Sequence, residues 1–279
     1  MAAIINDFAF LSEVSDFSLR GLKGLTTEYV PPPLGKFHPE GSWSQSYAMY
    51  VLIPHGARRV GEFTLVRKPK AAGGFTLDVH TRRLSVSGYS HFQRAEIHCK
   101  SDALASPVSW LFDTKLAKKP TDPPYLQSGR RRTGAVRDGA LFIRDNIRTA
   151  RTPLEGAYGN EWTMLEAVQR LPREKTPTMH YTLIDEYDTP QPEHTLEYRD
   201  QVTVPLKGGH VDLHSYCDIG RAVIPTTYWV DDHNRLLFVC TGLQVYALNI
   251  ANGKTGICPP HYISSVGPNP IGRDGNAKQ

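Results

Sequence analysis

The sequence predicts an all-β protein: an antiparallel curved sheet or β-barrel of meander type with one accessory α-helix, and a jelly-roll sandwich as the alternative strand order. Three observations carry this expectation. Strand-like runs follow one another along residues 44–249, separated by Gly, Pro and Asp punctuation. Only one stretch combines helical spacing with a cap and a stop. No repeat with a period of about 20–50 residues points to a propeller or solenoid. At 279 residues and 40% hydrophobic content the chain can bury a large core, so residues 1–250 read as a single β-rich domain.

Taken in order, residues 1–42 hold short apolar pieces, the Pro31-Pro32-Pro33 stop and Gly41, and read as an extended lead-in or a clasp across the main sheet. Runs at 44–54, 58–68, 74–83 and 91–100 are separated by short gaps, as a meander requires, and 108–112 continues them. The Pro- and Lys-rich residues 115–128 read as a long surface loop. Asp138-Gly139 suits the positive φ angles of a two-residue turn, which pairs 132–137 with 140–145 in a hairpin. Asn160 caps a helix predicted over 161–171, with Glu161 and Arg170 matched to its dipole and Pro172 ending it. Strands are then predicted at 178–187, 195–198, 210–218, 223–230 and 236–249, with a turn at 231–234. Residues 251–279 have the Gly, Pro, Asn and Lys composition of a poorly ordered tail.

Composition excludes several classes. The formal charge is +4, from 32 basic and 28 acidic residues, and no basic helix or zinc-finger spacing accompanies it, so a nucleic acid is not an expected partner. Basic residues gather in the first half, from Arg58, Arg59, Arg67, Lys68 and Lys70 through Arg82, Arg83, Lys115, Lys118 and Lys119 to Arg130–Arg132, and read as solvated strand edges and loops, with an anionic substrate kept in view. No apolar run approaches the roughly 18 residues of a spanning helix. The opening residues lack the parts of a signal peptide, although a mature exported domain given a new Met would read the same way. Four widely spaced cysteines with no Cys-x-x-Cys pair argue against structural zinc and read as buried, reduced packing residues. There is no Gly-x-Ser-x-Gly elbow, phosphate-binding loop or Rossmann glycine pattern. The carboxylates Asp185, Glu186, Asp188, Glu193 and Glu197, a glycosidase-type pair in principle, fall in a Pro-rich connection that reads as solvated.

The most informative stretch is 208–218. On a strand, His210, Asp212, His214, Tyr216 and Asp218 share one face, while Val211, Leu213, Ser215 and Cys217 take the other. Asp78, His80 and Arg82 alternate in the same way, as do Arg94, Glu96 and His98. If these faces converge, they build a polar cavity; if they point outward, they are the wet side of a sheet. Within the convergent reading, His210, Asp212 and His214 are candidate ligands for one divalent metal ion. His214, Tyr216, His98 and Arg82 are candidate catalytic groups, and Arg94, Arg221 and Trp229 candidate substrate-binding groups. Base, acid and cation together suit proton abstraction next to a uronate carboxylate followed by β-elimination. The leading expectation is therefore a carbohydrate-active carbon–oxygen lyase, metal-assisted or not. A non-catalytic carrier of a lipid or other apolar ligand in a half-barrel is the alternative. A polar interior favours the first and an apolar interior the second.

One local resemblance bears on setting. The run Tyr228-Trp229-Val230-Asp231-Asp232-His233-Asn234, within 224–238, resembles the strand–turn–strand that ends many bacterial exported single-sheet or half-barrel proteins of unknown function. It implies a ligand-facing cavity and a periplasmic or secreted location rather than a cytoplasmic one.

Overall fold

The computed structural model describes residues 29–53, 56–84, 88–145, 147–173 and 177–249. Most of the predicted lead-in, the whole 251–279 tail and Cys258 lie outside the described residues. Consecutive antiparallel strands β1 (Trp43–Ile53), β2 (Gly56–Pro69), β3 (Phe75–Leu84), β4 (Ser90–Cys99) and β5 (Pro107–Ala117) lead into β6 (Arg130–Arg137), β7 (Ala140–Asp145) and β8 (Thr149–Pro153). Short β9 (Tyr158–Asn160) runs directly into helix α1 (Glu161–Ala167). The chain returns as β10 (Met179–Asp185), β11 (Thr189–Leu206), β12 (Gly209–Ile219), β13 (Thr226–Asp231), β14 (Leu236–Thr241) and β15 (Gln244–Asn249). All fifteen belong to one sheet in the order β8-β7-β6-β5-β4-β3-β2-β1-β15-β14-β13-β12-β11-β10-β9. Two meanders are thus zipped together by the antiparallel β1–β15 seam, and β9 against β10 is a parallel pair. The curved meander prediction holds, whereas a jelly roll would divide its strands between two sheets.

Cross-strand partners share a face, so the register assigns every side chain to one of two sides. The inner side carries Tyr47 and Phe63, stacked at 4.7 Å, then Leu65, Leu77, Ile97 and Tyr246. Helix α1 lies within the curl: Trp162 meets Phe63 edge-on at 5.3 Å, and residues 162–167 are all buried. Polar contacts pin it there. Glu166 accepts from Arg67 Nε at 2.6 Å and from Arg170 Nε at 2.8 Å, and both guanidinium groups lie over Phe75. Gln169 exchanges hydrogen bonds with Gln45 at 2.8 and 3.0 Å. On the far side of β13 and β14, Tyr29 packs on Phe238 at 4.7 Å and donates to the Leu248 carbonyl.

The ladder stays open, but side chains of β5 and β6 bridge to the turn between β10 and β11. The β10–β11 turn places Glu186 and Tyr187 at φ of +46° and +65°, a conformation that costs energy in non-glycine residues. Contacts offset that cost. Tyr187 stacks on Phe112 at 4.7 Å, its carbonyl accepts from Trp110 Nε1, and buried Arg132 binds both the Glu186 carbonyl and Asp188. Trp110 in turn lies flat across Gly134, where a Cβ would sit 2.1 Å from its ring.

Several boundaries differ from expectation for local reasons. The helix stops at Ala167 because the next amides, of Gln169 and Arg170, bond three residues back in a tightened turn. The acidic, Pro-rich connection is not one long loop: from Thr189 it forms the first half of the 18-residue β11, with Pro192 and Glu193 absorbed in a bulge opposite Tyr181 and Leu183. The run at 236–249 is two strands, since Gly242 at φ +54° turns the chain. Strands β8 and β9 have too little apolar alternation to announce themselves. The Asp138-Gly139 turn has positive φ at both residues, as predicted.

Candidate functional site

Between α1 and the second meander lies a cleft of about 600 Å³. Apolar side chains make most of its walls: Val51, Val239, Tyr228 and Tyr246 from the sheet, with Trp162 and Leu165 from the helix. At its mouth Ile224 and Leu243 are 65% and 55% exposed, beside Val223. Such exposure of large aliphatic groups at the rim of a cleft is a feature of ligand entrances.

Polar and ionisable residues make up nearly half of the lining, Arg83, Glu161, Asp185, His194 and Asp218 among them. His194 Nδ1 and Asp218 Oδ1 are 2.9 Å apart, both residues buried, while His194 Nε2 has no hydrogen-bond partner among the described residues. Gly220 makes room for that ring edge: a Cβ there would come within 2.4 Å of Nε2. Glu161 stands at the first position of α1, directly after the Asn160 cap. Part of its surface still faces the cleft, yet burial pushes its carboxyl up to about 7, with Asp185 adding to the rise and Arg83 opposing it. Burial likewise raises Tyr228 and Tyr246 above the ordinary phenol range, so both are neutral hydroxyls at physiological pH.

The predicted site residues are divided between the two faces. On β12 the strip does turn inward as alternation requires, since Tyr216 is paired through Tyr228 and Val239 to Tyr246. Only Asp218 reaches the cleft. Tyr216 donates to the Leu171 carbonyl at 3.2 Å, and buried His214 is held through Nδ1 by the Tyr198 hydroxyl and through Nε2 by Asp232. Asp212 accepts from Thr203, and His210 is exposed at the strand end. The metal expectation for His210, Asp212 and His214 is corrected accordingly: both imidazole nitrogens of His214 are engaged, and among the described residues no group of three or more His, Cys, Asp or Glu could hold an ion.

Arg82, Arg94 and His98 are on the outer face. His80 is register-paired with Thr64, the neighbour of inward Phe63, and Arg94 with His80. His98 there meets Lys70 Nζ at 2.9 Å and Thr76. Trp229 also faces outward, fully buried beside its cross-strand partner Phe238 under Tyr29. Arg221 is exposed, 3.7 Å from Glu193. The lyase reading is therefore corrected. Elimination needs base, acid and cation around one carbon, whereas here the sheet separates Arg82 and His98 from His214 and Tyr216. The cleft inside the curl is instead mixed, with aliphatic and aromatic walls and Arg83, Glu161, Asp185, His194 and Asp218 among its polar lining.

Glu161, Arg83 and His194 line the cleft without having been singled out from the sequence. For Arg83 the signal is present, because Phe75, Leu77 and Val79 mark the buried side of β3 and the same parity continues through Thr81 to Arg83. Glu161 presents only a helix-start pattern, and His194 lies in the connection mistaken for loop.

Among the described residues no helix is long and apolar enough to cross a membrane. No family model matches the chain, and no curated protein matches it. Solved structures with some likeness include a β-barrel-like protein of domain of unknown function DUF1849 from Brucella abortus, with 13% identity, 75% of this chain and 95% of the other covered, and a TM-score of 0.49. Another is a DUF1089 family protein from Pseudomonas aeruginosa, with 11% identity, 77% and 97% covered, and a TM-score of 0.37.

Proposed function

We propose that the protein is a non-catalytic carrier whose half-barrel holds the apolar part of a lipid or other small amphipathic molecule. The observation that carries this reading is the cleft between α1 and the sheet, whose aliphatic and aromatic walls lead to Ile224 and Leu243 exposed at its mouth. Its volume of about 600 Å³ falls in the range of small-molecule sites. Glu161, Arg83 and the His194–Asp218 pair are among the polar groups that would hold the ligand's polar end in such a site.

Titration with a fluorescent polyene fatty acid tests the proposal. Saturable enhancement at one probe per chain is expected, displaced by non-fluorescent fatty acid. The mouth variants Ile224→Asp and Leu243→Asp alter exposed side chains, fold as the parent does, and should weaken binding severalfold. A folded parent protein that leaves the probe dark, or equal binding by both variants, removes the carrier reading.

A further inference from the structure

A second and larger cleft, about 830 Å³, lies on the other side of the sheet. Register explains its floor as two rungs of outward side chains crossing successive strands. One rung runs Glu62, Arg82, Phe92, Lys115. The next runs Thr64, His80, Arg94, Asp113, Arg131. The wall is the segment 118–129, which contributes Pro120, Pro124 and Gly129. That segment is fastened to the sheet: Lys115 Nζ donates to the Asp122 carbonyl at 2.7 Å, Leu116 N donates to Ser128 Oγ at 3.0 Å, and Tyr125 packs on Tyr89 at 4.3 Å.

Charge in this cleft is one-sided. Arg82, Arg94, Lys115, Arg130 and Arg131 line it against two carboxylates, Glu62 and Asp113. Both carboxylates are already engaged: Glu62 lies 2.7 Å from Arg59 and 3.8 Å from Arg82, and Asp113 lies 3.7 Å from Arg131. Arg94 faces Asp113 across the ladder, yet the side chains of Arg94 and Arg130 make no ion pair or hydrogen bond among the described residues. Exposed cations set around a recess favour an entering anion, and a guanidinium presents paired donors that match phosphate oxygens. Half-buried Phe92, between Arg82 and Lys115 on its rung, offers apolar surface to the remainder of a ligand.

We infer that this outer cleft is a binding site for a small phosphorylated molecule, held by Arg94 and Arg130 with Arg82, Arg131 and Lys115 around them. It does not depend on the carrier reading, because the two clefts lie on opposite faces and take opposite chemistries. The recess, rather than an extended basic stripe, selects a compact anion.

Calorimetric titration of the full chain with inorganic pyrophosphate tests this, alongside sedimentation with phosphatidylcholine vesicles doped with phosphatidic acid. Binding of one pyrophosphate per chain is expected, weakening as salt is added. Arg94→Gln and Arg130→Gln should each weaken it roughly tenfold or more, as losing a charged hydrogen bond does. Arg144→Gln, which removes an exposed cation of β7 outside the cleft, should leave it unchanged. Among the described residues neither the Arg94 nor the Arg130 side chain has an ion-pair or hydrogen-bond partner, so melting temperatures of the variants should stay close to the parent's. Absence of pyrophosphate binding, equal weakening in Arg144→Gln, or attachment to vesicles without pyrophosphate binding would each overturn the inference; the last would mark a basic membrane-facing surface instead.

Discussion

Glu161 makes stability depend on pH in the opposite direction from an ordinary paired carboxylate. In the unfolded chain its carboxyl titrates near 4.5, and in the folded protein burial beside Asp185 pushes it up to about 7. Below about pH 4.5 the group is protonated in both states and contributes no difference. Between about 4.5 and about 7 the unfolded chain has released the proton and the folded chain still holds it, so stability falls as pH rises. Above about 7 the full penalty stands. At about 1.4 kcal/mol per pKa unit the ceiling is about 3 kcal/mol, and the residue's partial exposure to the cleft lowers that. Glu161→Gln removes the charge while keeping the shape. It also removes a favourable charge at the helix N-terminus, worth about 0.3–1 kcal/mol. The net expectation is a variant about 1–2 kcal/mol more stable than the parent well above pH 7 and nearly equal to it near pH 4.5. Urea unfolding followed by tryptophan fluorescence across this interval measures both. Parallel pH profiles for parent and variant would refute the reasoning, because they would show that Glu161 titrates alike in the folded and unfolded chains.

The helix anchor and the closure of the sheet give two more predictions. Glu166→Ala leaves Arg67 and Arg170 buried without their shared carboxylate and should cost about 3–5 kcal/mol in denaturant unfolding; a loss below about 1 kcal/mol would mean that the guanidinium groups reach water or other acceptors instead. Gly134→Ala drives a methyl into Trp110, displaces the ring that donates to Tyr187, and should destabilise by at least about 1–3 kcal/mol; an unchanged melting temperature would show that Trp110 does not lie across that glycine in solution.

Much of the fold was legible because its signals are local. The Asp138-Gly139 turn, the Asn160 cap and the alternation of Phe75, Leu77 and Val79 each depend on a few adjacent residues. Less legible were elements whose stability comes from distant contacts. Strand β11 contains prolines that locally argue against a strand, and it persists because β10 and β12 pair on both sides and a bulge absorbs Pro192. Tyr187 tolerates positive φ only because Phe112 and Trp110 hold it from another part of the chain. The polar strips were read correctly as strips. What alternation cannot reveal is which face of each strand turns inward relative to the others.

By itself, then, the sequence determined the class of structure, the meander, the helix and the sharing of faces within single strands, since period-two patterning and turn chemistry act over a few residues. Tertiary structure alone decided which faces meet. Register across the sheet sends the rows of β3 and β4 outward and the row of β12 inward, dividing the groups that an eliminase would need. The same register leaves a cleft of mixed lining beneath the helix and gathers early arginines around a recess on the far side. Pairing depends on the whole ladder rather than on any one segment, and a shift of one residue would exchange the two surfaces.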